Sequence, residues 1–135
     1  MAGCLAFAGI AFAWERPREG ITWQRYDDSI VLRARETGMP VMMDFAADWC
    51  FPCRQLDAIT FSNGKVVAES RRFVTLRADL TRYTTPEAQE LRKRYDVLGV
   101  PTILFLNSSG REEAALRTVG FIGADALLAK MQSVH

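Results

Sequence analysis

The run Val41-Met42-Met43-Asp44-Phe45-Ala46-Ala47-Asp48-Trp49-Cys50-Phe51-Pro52-Cys53 decides how the rest of the chain is read. Val41 to Ala47 is apolar except for Asp44, which is the pattern of a central strand covered on both faces. Cys50-Phe51-Pro52-Cys53 follows after a short loop, and Arg54 to Ile59 can continue as a helix. Both cysteines then sit at a helix N-terminus, where unpaired backbone N–H groups and the helix dipole favour a thiolate. Such a pair can close a disulfide within one turn and reopen it by exchange. Zinc is disfavoured, because a structural site needs about four ligands and the remaining candidates, Cys4 and His135, lie at opposite ends of the chain. A purely structural disulfide would close a very small loop and constrain the unfolded chain little. Redox chemistry without a metal or other cofactor, on a Cys50–Cys53 disulfide, is the leading reading.

The chain has 135 residues, enough for one domain with a real core. Hydrophobic residues make up 49%, so a packed globule is expected rather than disorder. With 17 basic and 16 acidic residues the formal net charge is +1, which gives no argument for a nucleic acid or an acidic polymer as partner. Residues 1–20 read as an apolar segment followed by a charged linker, and residues 21–135 as the domain. Ala2 to Trp14 is apolar and uncharged, and too short to span a bilayer, which takes about 20 residues. It reads as the tail of a transmembrane helix, as a signal-peptide core with Ala11-Phe12-Ala13 as the cleavage pattern, or as a helix of the domain. Either of the first two places the domain outside the cytoplasm. Cys4 is a lipid-anchor site or a bystander thiol.

Ile21 to Tyr26 alternates and is expected as a short edge strand. Asp27 or Asp28 caps a helix that Gly38 stops, and Pro40 blocks its continuation. Ser62 or Asn63 caps a short helix from Lys65 to Arg71. Phe73 to Asp79 reads as a second core strand. Pro86 opens a helix to about Tyr95, with Ala88, Leu91 and Tyr95 on one face. Ile103 to Leu106 is the third core strand, Asn107 to Gly110 a hairpin turn, and Ala114 to Val119 the returning strand. Ala124 to Val134 closes as an amphipathic helix with Leu127, Leu128 and Met131 inward. This order predicts an α/β fold, a central mixed sheet with helices on both faces.

Asp44 six residues before Cys50, the Trp49-Cys50-Phe51-Pro52-Cys53 run, and Gly99-Val100-Pro101-Thr102 before a strand resemble the thioredoxin family. Ala47-Asp48-Trp49-Cys50, Thr60-Phe61-Ser62, Val97 to Phe105 and Val119-Gly120-Phe121 resemble one branch of it, the C-terminal periplasmic domain of the DsbD thiol:disulfide interchange proteins. The resemblance covers roughly residues 21–133. It implies a thioredoxin fold and a dithiol reductase that takes electrons from a membrane-embedded donor domain and passes them to disulfide-bonded periplasmic proteins. It also implies tethering through a preceding transmembrane helix, which residues 2–14 would fit. The isolated domain is expected to be a monomer. Phe51 stands where thioredoxin has glycine. Asp57 stands where the DsbD domain has a glutamate, so the acid is one methylene shorter.

The expected roles follow. Cys50, nearer the helix tip, is the attacking thiol, and Cys53, expected to be more buried, the resolving one. Asp44 is expected to be buried with a raised pKa and to accept the Cys53 proton. Asp57 is expected to place negative charge near Cys50. The resemblance implies a cis Val100–Pro101 bond in a loop facing the cysteines, with the Val100 backbone offered to an extended partner segment. Trp49, Phe51 and Pro52 would contribute apolar contact and tune the pair. Two other functions stand beside the reductase: a disulfide oxidase or isomerase on the same fold, and a non-catalytic thioredoxin-like binding module.

Overall fold

The computed structural model describes residues 20–135. The readings of residues 1–19, Cys4 among them, lie outside the described residues. Among the described residues, five strands form one sheet in the order β1-β3-β2-β4-β5. They are β1 (Gln24–Arg25), β2 (Val41–Ala46), β3 (Val74–Asp79), β4 (Thr102–Leu106) and β5 (Thr118–Val119). β2 pairs in parallel with β3 and antiparallel with β4, so the strand that leads to the cysteines is central on both sides. β1 adds in parallel to the far side of β3, and β5 antiparallel to β4.

The alternation of side chains along a strand divides the core in two. Met42, Ile103 and Phe105 face one side and pack with Leu56, Val66, Leu127 and Met131. Those partners come from the helical segment after the cysteines, from α3 (Gly64–Ser70) and from α5 (Ala124–Gln132). Val41, Met43, Phe45, Leu104 and Leu106 face the other side and pack with Ala34 of α1 (Asp28–Glu36) and Ala88 of α4 (Pro86–Arg94). The sheet is therefore mixed, with helices on both faces. Local chemistry starts the helices. The Asp27 carboxylate accepts the Ser29 N–H, the Asn63 side chain those of Lys65 and Val66, and the Thr85 hydroxyl that of Ala88. Gly38, at φ +68, follows the end of α1 in the left-handed region.

One expectation is refined and one corrected. The helix after the cysteines runs on as expected, but not as α-helix throughout. α2 covers Phe51–Gln55, and Leu56–Thr60 widens into a π-helical turn closed by the Phe61 N–H on the Leu56 carbonyl. The Thr60 hydroxyl holds that turn by donating to the Ile122 carbonyl. The return from β4 is not a continuous strand either. Glu112 bridges to Leu106, Ala114–Leu116 coils into a 3₁₀ turn, and only Thr118–Val119 pairs with β4. Arg117 explains the detour. It pairs with Glu112 and donates to the carbonyls of Tyr95 and Asp96, which draws the chain toward the end of α4.

Candidate active site

β2 delivers the chain to the cysteines. Past Ala46 the backbone turns, with the Cys50 N–H on the Ala47 carbonyl, and α2 starts at Phe51. Cys50 is the N-cap, in extended backbone at φ −90° and ψ 108°. Its sulfur accepts the Cys53 N–H at 3.2 Å, so one of the helix's orphan donors points at Cys50 Sγ. Cys50 and Cys53 are joined in a disulfide with Cα atoms 5.3 Å apart. Their burial is a correction: at 4% and 5% exposure they are equally covered. Exposure does not distinguish them; the N-cap hydrogen bond does.

Val100 packs against the pair together with Ala46 and Ala47. The Val100–Pro101 bond is cis, as the resemblance implies. Around the disulfide the surface is apolar. Trp49 and Phe51 are exposed, and Pro52 is half-buried in the first turn of α2. Trp49 is held from behind. Its indole N–H donates to the Thr81 carbonyl at 2.9 Å, and its ring meets Tyr83 edge-on at 6.0 Å. The Arg54 guanidinium fixes the preceding loop by donating twice to the Asp48 carbonyl. Leu98, 85% exposed in the loop before the cis-proline, and Phe121, just after β5, are further exposed apolar side chains and were not among the expected contacts. Their apolar character inside Val97 to Thr102 and Val119 to Gly123 was the available signal.

Asp44 is on β2, 1% exposed. Burial pushes its carboxyl up to about 6, against the opposing charge of Arg77. Arg77, beside it on β3, donates from Nε to Asp44 Oδ2 at 2.9 Å and from Nη2 to Asp57 Oδ1 at 2.6 Å. Asp44 Oδ1 is buried with no hydrogen-bond partner among the described residues. Asp57, with half of its side chain exposed, therefore faces Arg77 from the π-helical turn rather than standing as a free negative charge. Arg77 is the residue that sequence reasoning missed. Each of the two paired strands carries a charge flanked by apolar residues, Asp44 between Met43 and Phe45 and Arg77 between Leu76 and Ala78, and that coincidence was the sign.

Residues 22–108 match the profile of a family described as Thioredoxin-like. The chain belongs to the thioredoxin-like family. Within it, this chain is 41% identical over 100 residues to the thiol:disulfide interchange protein DsbD of Yersinia pestis, a match that takes in 74% of this chain and 17% of that protein. The corresponding protein of Ralstonia nicotianae is 36% identical over 118 residues, covering 84% of this chain and 19% of its own length. The chain thus spans less than a fifth of the curated relatives it matches. Among solved structures, the oxidised C-terminal domain of Neisseria meningitidis DsbD superposes with a TM-score of 0.68 at 28% identity, over 83% of this chain and all of that one. A thioredoxin from Thermus thermophilus superposes at 0.67 and 28% identity, over 83% of this chain and 86% of its own. The thioredoxin-like site can perform one chemistry with its own atoms, thiol–disulfide exchange.

Proposed function

We propose that this thioredoxin-like domain is a protein-disulfide reductase acting outside the cytoplasm, in the manner of the C-terminal domain of DsbD. The observation that carries the reading is the Cys50–Cys53 disulfide at a helix N-terminus beside a cis-proline loop. Its similarity to DsbD supports the direction and the compartment. The disulfide itself is the redox group, and no metal or added cofactor is required.

In the reduced domain, the Cys50 thiolate attacks one sulfur of a partner disulfide and the other partner sulfur leaves as a thiolate. A mixed disulfide joins the two proteins. The Cys53 thiol then gives its proton to Asp44, whose unpartnered Oδ1 and raised carboxyl pKa suit it to hold one. The Cys53 thiolate attacks Cys50 Sγ, closes the domain's disulfide and releases the partner's second sulfur. Protonation of the two partner sulfurs completes a transfer of two electrons and two protons. A membrane-embedded donor domain returns the Cys50–Cys53 pair to the dithiol. Trp49, Phe51 and Pro52 would cover the apolar side of the partner segment, with the Val100 backbone as its extended pairing edge. Asp57 would tune the centre by its charge.

The test is insulin reduction by the domain with dithiothreitol, followed by trapping. Cys50→Ala should abolish turnover, whereas Cys53→Ala should accumulate a mixed disulfide on Cys50, located by mass spectrometry. A partner trapped on Cys53 would reverse the roles. Absence of turnover in the natural protein would reduce the domain to a binding module. A midpoint nearer to about −120 mV than to about −270 mV would make it an oxidant instead.

A further inference from the structure

Arg77 joins two acids of very different surroundings. Its guanidinium lies over the Trp23 ring at 4.8 Å and near Phe61 at 5.8 Å, so aromatic packing holds its plane independently of either acid. One edge of that plane grips Asp44 in the interior, and another nitrogen grips Asp57 at the surface. A lysine has a single nitrogen and cannot present this fork. β4 sets the apolar Ile103 opposite Asp44. Among the described residues, the charged groups that act on Asp44 are Arg77 from β3 and Asp57 from the π-helical turn that continues α2.

We propose that Arg77 is a positioning residue of the exchange centre: its guanidinium couples Asp57 at the surface to Asp44 in the interior, so that Asp57 acts on the buried acid through Arg77 rather than directly. The inference rests on the oxidoreductase reading only in giving Asp44 a proton to carry. The coupling itself belongs to the resting, oxidised protein. Burial is the largest influence on the Asp44 carboxyl, Arg77 opposes it, and direct repulsion from Asp57 is the weakest influence. Asp57 competes for the same guanidinium that holds Asp44. A partner group that occupies Asp57, such as a lysine ammonium, would leave Arg77 to Asp44 alone and lower its affinity for a proton.

The experiment follows the carboxyl carbon of Asp44 by nuclear magnetic resonance against pH, in the oxidised protein. Arg77→Gln should raise the Asp44 midpoint by about one pH unit or more, the usual effect of losing an adjacent opposite charge. Asp57→Asn should lower it, and that lowering should all but disappear in the Arg77→Gln background. Arg77→Lys should restore much of the midpoint without restoring the sensitivity to Asp57. An equal effect of Asp57→Asn with and without Arg77 would overturn the coupling. So would an Asp44 midpoint that Arg77→Gln leaves unmoved. If Arg77→Gln does not fold, Asp57→Asn alone must still lower the midpoint, and no movement there refutes the proposal. Insulin reduction measured on the natural protein is independent of this cycle. Loss of that activity sinks the reductase reading while leaving the coupling intact.

Discussion

Asp44 gives the molecule a built-in pH dependence. Its carboxyl is at about 6 in the fold and at 3.8 when unperturbed. Below the lower value the group is neutral in both states and burial is harmless. As pH rises toward 6 the unfolded chain ionises freely while the folded one resists, so stability is lost across that window. The full difference is at most about 3 kcal/mol, at roughly 1.36 kcal/mol per pKa unit. Urea melts of the oxidised protein between pH 4 and 8 should therefore fall more steeply for the natural protein than for Asp44→Asn. Two parallel curves would refute a raised carboxyl. Asp27 and Asp79, both held below the usual carboxylate range by hydrogen bonds from Ser29 and Thr81, act in the opposite sense, and the comparison between the two proteins cancels them. The buried acid and the cysteine pair were legible in the sequence, because Asp44 interrupts an apolar strand and Cys50 and Cys53 are spaced for one helical turn. Arg77 was not, because it meets Asp44 only through strand pairing across 33 residues of chain.

Helix starts were readable from single residues, and departures from regular geometry were not. Asn63 caps α3 with two N–H bonds, and Asn63→Ala should lower stability by about 1 kcal/mol in a denaturant titration. The apolar spacing from Leu56 to Phe61 fits an α-helix as well as a π-helical turn. What selects the wider turn is Thr60 reaching Ile122 across 62 residues, a contact invisible to local pattern. Thr60→Val should cost about 1 kcal/mol or more, since it leaves the Ile122 carbonyl without that donor. It should also loosen the grip of Asp57 on Arg77, visible as earlier hydrogen exchange over residues 56–60. Unchanged exchange there would separate the turn from Thr60. Ala114 to Leu116 reads as strand only if the hairpin register continues past Glu112, and Arg117 ends that register through partners on another element.

At the scale of the molecule, the two core layers outweigh the covalent link. Phe105 is fully buried, and Phe105→Ala should cost about 3–5 kcal/mol. The disulfide closes a sequence separation of 3, for which chain entropy gives only about 2 kcal/mol. Reduction should therefore lower the thermal midpoint without abolishing the cooperative transition. A melt that vanishes on reduction would make the disulfide structural. β4 also carries a consequence of its own. It begins beside the cis-proline and ends at Leu106, and just past that end the Ser108 N–H meets the carbonyl of His135. Five residues of strand put about 17 Å between the two poles. An electrode, a dye or a resin attached at His135 would thus sit at the blind pole and turn the redox pole toward solution.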